Sequence, residues 1–390
     1  MKLKPFQKRT WAIIDLNAAK YNYSVIRSRL KPETKLCCVV KANGYGHGAV
    51  QLSRLYEQLG ADFLAVSNIE EAIQLRSAEI SIPILILGYT DPQCAEELAA
   101  HKITQCVFSY EYGKALSGYA EEQGVEVNIH IKLDTGMGRI GFQCTPEELD
   151  LAAGVCTLPG LHVEGIFTHF ASADEGDGGK EYTLLQFNQF MNSISYLAGK
   201  GVRFSIRHCS NSAGIFDYPE THLDMVRAGI VLYGLQPSGV LQNSSKLCPV
   251  MTLKTIIDHI KTIYPGDCIS YGREYRADHE MRVATIPIGY ADGLWRSNYR
   301  NRTMVEVEGK MAPIIGRICM DQCMIDVTDN LDAKVNSEVV VYGADGETSV
   351  NRIAEANGTI NYEIVCALGE RVPRVYKKDG QTIAIVDNIL

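Results

Sequence analysis

Eight strand-length apolar bursts, each followed by an amphipathic stretch, restrict the fold of this chain more than any other feature. After the amino terminus they read "LCCVV", "FLAVS", "ILILG", "CVFS", "VNIHIKLD", "EGIFTHF", "SIRHCSNS" and "MVRAGIVLYG". Short buried strands joined by helices pair in parallel, because each helix carries the chain back to the same end of the sheet. In "AVQLSRLYEQLG" the residues Leu52, Leu55, Tyr56 and Leu59 share one helical face, and Gly60 supplies the stop. Eight such units close a barrel, so the chain reads as α/β, with an N-terminal (β/α)8 barrel over residues 1–240. After the linker "QPSGVLQNSS" the texture changes. The runs "MTLKTII", "ATIPIGY", "MVEVEG", "MIDVT" and "EVVVYG" are short strands without regular helical spacers, which predicts a mostly β C-terminal domain over 241–390.

Composition narrows the function. A net charge of −8 with the two signs interspersed lacks the basic stripe that binds nucleic acid, which favours small-molecule partners. The apolar run from Trp11 to Ile14 stops at Asp15, too short for a signal peptide or a membrane span. The twelve cysteines are scattered among apolar neighbours, as at Cys37, Cys38 and Cys156, and read as reduced thiols of a cytoplasmic protein. Cys319 and Cys323 lack a second pair or nearby histidines, so no metal centre is expected.

The stretch "CCVVKANGYGHGA" puts Lys41 at the end of the first barrel strand, where barrel chemistry sits. A primary amine there can form a Schiff base with an aldehyde or pair with a phosphate. Gly44, Gly46 and Ala49 fit a dinucleotide fingerprint, yet the acidic residue expected at the end of the next strand is missing, since "DFLAVS" ends in Ser67 and Asp62 lies at the wrong end. A lone lysine at a strand end is usually just solvated. Here the later strands end in "KLDTGMGRIG", "FTHF", "SNS" and "MVRAG", so Lys132, Arg139, His169, Ser212 and Arg227 converge on the same rim.

These motifs, together with "HCSNSAG", "SYGREY", "GRICMDQCMIDV" and "TINYEIVCAL", resemble in order those of the alanine racemases, pyridoxal-phosphate enzymes built as a barrel plus a C-terminal β domain. The family pattern often has Ala where this chain has Gly44. The resemblance implies that Lys41 holds pyridoxal 5'-phosphate as a Schiff base. Its phosphate would be bound by Tyr45, Ser212 and backbone near Gly229 and Ile230, and Tyr362 would reach it while narrowing the entrance with Tyr290. Barrels independently favour phosphate sites after the seventh and eighth strands, where Ser212 and Gly229 fall. Arg227 would face the pyridine nitrogen, oriented by His169. Arg139 would donate to the phenolic oxygen, and Lys132 would be carbamylated and present a negative charge to Arg139. Lys41 and Tyr271 would be the two bases, with Tyr271 supplied by the second subunit of a homodimer; Met320 and Asp321 would serve the substrate carboxylate across the same interface.

The resemblance further implies a cytoplasmic enzyme that supplies D-alanine for peptidoglycan. A non-enzymatic pyridoxal-phosphate carrier would lack the second domain, and a basic-amino-acid decarboxylase would need a different one. A serine or broad-specificity racemase is the nearest rival. Tyr362 keeps the bulky ring that favours alanine, although a methyl and a hydroxymethyl differ by only about 1–3 kcal/mol in such a pocket.

Overall fold

The structure, a computed structural model, describes residues 8–301, 303–343 and 346–389. The apolar bursts are strands of a near-closed barrel. Lys35–Val39, Phe63–Val66, Ile84–Ile86 and Ile103–Val107 are the first four, and Val127–Asp134, Leu161–Phe167, Ile206–His208 and Met225–Ala228 the last four. The first seven pair in parallel in chain order, and the eighth pairs in parallel with the first. Both sheet faces are covered, so Leu36, Cys37, Leu64 and Leu85 are fully buried. Between the seventh and eighth strands no ladder forms. The gap is bridged by Arg227 N–H to Ser210 O (3.0 Å), Asp224 N–H to Arg207 O (3.2 Å) and an Arg207–Asp224 ion pair (2.7 Å).

The fourth strand starts earlier than "CVFS" indicates, at Ile103, and takes in Gln105, whose buried side-chain amide donates to Gly88 O and Cys106 O. The helix Ala49–Gln58 buries Leu52, Leu55 and Tyr56, as its spacing predicts.

The expected division at residue 240 needs one adjustment at the amino terminus. Thr10–Asp15 does not join the barrel; it lies in the second sheet, antiparallel to Met251–Ile256 and parallel to Arg374–Lys378. Asp15 then caps the next helix, Leu16–Arg27, by accepting from Asn17 and Ala18 N–H, and the chain crosses to the barrel there. The second domain is a ten-stranded sheet that also carries two helices unexpected from sequence, Val350–Ala356 and Asn361–Cys366. It is fastened to the barrel by Arg374, fully buried, which donates to Gly46 O (3.1 Å), and by Tyr376 OH, which donates to His47 O (3.0 Å). The twelve cysteines are free, and Cys268 and Cys366 are exposed instead of lying in the core. Among the described residues no helix is long and apolar enough to cross a membrane.

Candidate active site

Directly after the first barrel strand the backbone makes one left-handed turn: Ala42 (φ 52°), Asn43 (φ 50°), Gly44 (φ 60°) and Tyr45 (φ 50°). Each non-glycine residue in that region costs about 1–2 kcal/mol. The conformation persists because its surroundings hold it. Ala42 N–H donates to Glu71 Oε1 (2.6 Å), Asn43 Oδ1 accepts from Ala49 N–H (3.0 Å), and Arg374 and Tyr376 grip the far end. A Cβ on Gly46 would stand 2.2 Å from Val365 O, so glycine is required where the second domain's backbone docks. The turn places the side chains of Lys41 and Tyr45 in one cavity of roughly 600 Å³ at the barrel mouth.

That cavity gathers most of the residues singled out from sequence. Lys132, Arg139 and Arg227 bring positive charge, and Lys41, His169, Ser212 and Tyr362 line it as well. Burial, reinforced by Arg139, lowers the pKa of Lys41, which favours a neutral, nucleophilic amine. Burial also pulls Lys132 down to about 8. Arg139 is set by the "DTGMGR" loop, in which Asp134 accepts from the N–H groups of Gly136 (2.9 Å), Gly138 (3.0 Å) and Arg139 (3.1 Å).

At one end hydroxyls and backbone form an anion cradle. Gly229 N–H donates to Ser212 Oγ (2.9 Å), and a Cβ on Gly229 would lie 2.9 Å from the Tyr45 hydroxyl. Ile230 follows and opens a short 3₁₀ turn. Tyr45 packs against Tyr233 (4.7 Å between ring centres) and Tyr362 (6.1 Å), and burial raises the pKa of Tyr45 and Tyr362, keeping both hydroxyls protonated.

Arg227 is buried, and among the described residues no carboxylate stands within ion-pair distance of it. It donates to His208 Nδ1 (2.8 Å), Thr168 O (2.8 Å), Cys209 O (3.1 Å) and His169 Nδ1 (3.2 Å). Burial and then the Arg227 charge push the pKa values of His169 and His208 well below the usual imidazole value, so both rings are neutral acceptors. His208 was not among the candidates from sequence, although it stands in "RHCSNSAG" at the end of the seventh strand.

Three expected site residues lie elsewhere on the chain. Tyr271 (67% exposed), Met320 (53% exposed) and Asp321 line a second, open cavity in the β domain with Ser270 and Cys319. Tyr290 belongs to this side too, its N–H donating to Cys319 O (3.1 Å), and it does not line the Lys41 cavity with Tyr362. The platform is rigid despite its exposure. Arg371 bridges buried Asp292 (2.8 Å) to Asp321 (2.6 Å), Arg9 joins Asp292, and a Cβ on Gly289 would stand 2.3 Å from Met320 O. Sequence reading missed Arg371 and Asp292, since neither carries a local motif.

A lysine of lowered pKa facing a hydroxyl-and-amide cradle across a cationic barrel mouth defines an amine-dependent barrel enzyme with an anion site. Family models assign it further. The model of the alanine racemase N-terminal domain matches residues 14–237, and that of the C-terminal domain matches 250–376. The chain belongs to the alanine racemase family. It is 48% identical to the alanine racemase of Desulfovibrio desulfuricans over 95% of this chain and 99% of that one, and 47% identical to that of Desulforamulus reducens over 94% and 98%. Among solved structures, alanine racemase of Clostridium difficile 630 matches with a TM-score of 0.95 at 41% identity, covering 99% of this chain and all of that one. Alanine racemase from Bacillus anthracis, with bound L-Ala-P, matches with a TM-score of 0.94 at 35% identity over 99% of each chain.

Proposed function

We propose that the chain interconverts L-alanine and D-alanine with pyridoxal 5'-phosphate at the barrel mouth, as a cytoplasmic homodimer that supplies D-alanine for peptidoglycan. The observation that carries this reading is the gathering of Lys41, Arg227 and the Tyr45–Ser212–Gly229 cradle in one cavity. The donor set suits the cofactor: an amine for its aldehyde, hydroxyls and N–H groups for its phosphate, and a guanidinium for its ring nitrogen. When bound, pyridoxal phosphate supplies an aldehyde that takes the substrate amine and a ring that delocalises the charge left at Cα.

The chain's own residues do the rest. Tyr45, Ser212, Gly229 and Ile230 would hold the phosphate, and Tyr362 would narrow the entrance. Arg227 stays protonated at neutral pH and would face the ring nitrogen without giving up its proton, a setting that suits racemisation. His169 orients Arg227, and Arg139 serves the phenolic oxygen and the substrate carboxylate. Lys132, carbamylated, presents negative charge to Arg139. Lys41 moves the Cα proton on one face, and the partner subunit's Tyr271 moves it on the other. The partner subunit's Met320 and Asp321 position the substrate carboxylate.

The test is incubation of the cofactor-loaded protein with L-alanine in heavy water. D-alanine carrying deuterium at Cα is expected. Bound cofactor with neither exchange nor D-alanine would sink the assignment, and L-serine run in parallel would identify the serine racemase reading.

A further inference from the structure

Inside the barrel, beneath Arg227, a chain of hydrogen bonds runs away from the mouth. His208 accepts from Arg227 at Nδ1 (2.8 Å), His208 Nε2 meets His130 Nδ1 (2.9 Å), and His130 Nε2 meets Glu164 Oε2 (3.3 Å). Both imidazoles are fully buried, while Glu164 is partly exposed. The rings are held in place by packing. His208 stacks on Phe167 (4.8 Å, 9° between planes), and His130 stands edge-on to His208.

The backbone is built around this chain. On the sixth strand Val163 opposes Ile129 and Gly165 opposes His130, so Glu164 is the extra residue of a bulge. A bulge re-aims a side chain that strand alternation would send elsewhere. Gly165 completes the arrangement, because a Cβ there would lie 2.6 Å from the His130 ring.

Donor and acceptor chemistry fixes the direction of every bond. A guanidinium only donates, so His208 Nδ1 must accept and His208 Nε2 carries the hydrogen. That hydrogen makes His130 Nδ1 an acceptor, and His130 Nε2–H then donates to Glu164. Among the described residues no carboxylate lies within ion-pair distance of Arg227, and Glu164 is the anion at the end of its chain. We propose that Glu164 is a positioning residue: through His130 and His208 it fixes the acceptor that Arg227 meets inside the barrel, and it supplies that buried guanidinium with a remote counter-charge. Without it, His130 can move its hydrogen to Nδ1, His208 then turns an N–H toward Arg227, and two donors face each other. The pKa directions agree: the His130 hydrogen bond lowers Glu164, and burial lowers His130, so the contact joins a carboxylate to a neutral imidazole.

The catalytic consequence rests on the proposed racemisation, whereas the bond directions belong to the protein without cofactor. The test therefore uses full-length protein labelled with 15N-histidine, with and without pyridoxal phosphate, as wild type, Glu164→Leu and Glu164→Gln. Wild type is expected to hold both histidines as the Nε2–H form. Glu164→Leu, which loses acceptor and charge, should mix the tautomers at 130 and 208 and lower kcat on the order of tenfold, with KM within about twofold. Glu164→Gln, which can still accept, should keep the Nε2–H form and show a smaller loss of kcat, so the test survives if the leucine variant does not fold. Unchanged tautomers in Glu164→Leu would overturn the direction-setting role, and wild-type kcat in Glu164→Gln would overturn the counter-charge. If the tautomers shift but wild type racemises nothing, the role of Glu164 stands and the proposed function fails.

Discussion

Lys132 is 2% exposed, and its amine donates to Leu133 O at 2.6 Å. Burial brings its pKa from 10.5 to about 8. Because the folded value lies below the unfolded one, the unfolded chain binds the extra proton between them, and stability rises as pH climbs from about 8 toward 10.5. At neutral pH that charge costs the fold roughly 3 kcal/mol. Reaction of the amine with carbon dioxide removes the ammonium and sets a carboxylate among the cations Arg139 and Arg227, which already depress Lys132. Bicarbonate near pH 8 is therefore expected to raise the denaturant midpoint of wild type above that in carbon-dioxide-free buffer, with one carboxylate added by native mass spectrometry. Lys132→Met should abolish the difference and be more stable than unmodified wild type. A wild-type midpoint indifferent to bicarbonate would rule out the modification as a stabilising element.

The left-handed turn after the first strand shows how an element couples the two domains. Gly60 and Gly46 both have positive φ, 86° and 79°, but a Cβ on Gly60 meets nothing within 4 Å while one on Gly46 strikes Val365 O. Gly60→Ala is expected to destabilise by about 1 kcal/mol, the backbone cost alone. Gly46→Ala should cost about 1–3 kcal/mol more, because the second domain's backbone must retreat. It should also weaken cofactor binding, measured by absorbance titration; equal losses in the two variants would mean that the docking is loose. The turn marks the boundary of what sequence conveys. The glycines of "KANGYGHG" announce a constrained loop beside a lysine, and the alternation in "VNIHIKLD" puts His130 and Lys132 on one inward face. The role of Glu164 was hidden because a bulge breaks the alternation by which strand faces are read. The strand Thr10–Asp15 was hidden too, since its partners lie some 240 and 360 positions along the chain.

At the scale of the whole molecule, the proposed function needs each chain's Lys41 cavity and its Tyr271 platform to belong to two different sites. The Lys41 cavity holds the amine and the anion cradle, and Tyr271 and Met320 stand exposed on a platform stiffened by Arg371 and Asp292. A large exposed side chain on a rigid base is the form an interface anchor takes. In the proposed two-fold dimer one contact would place each platform at the other chain's mouth, so both sites would complete together. Two inactive variants distinguish this from a site closed within one chain. Lys41→Ala lacks the amine and Tyr271→Phe lacks the phenol, and each alone should racemise at a small fraction of the wild-type rate. In their heterodimer, Lys41 of one chain meets Tyr271 of the other, giving one intact site and one doubly defective site. Random reassortment makes half of the dimers mixed, so an equal mixture refolded together should regain about a quarter of wild-type activity. The same mixture combined without exchange of subunits should regain none, and a refolded mixture that stays inactive would place both bases within a single chain.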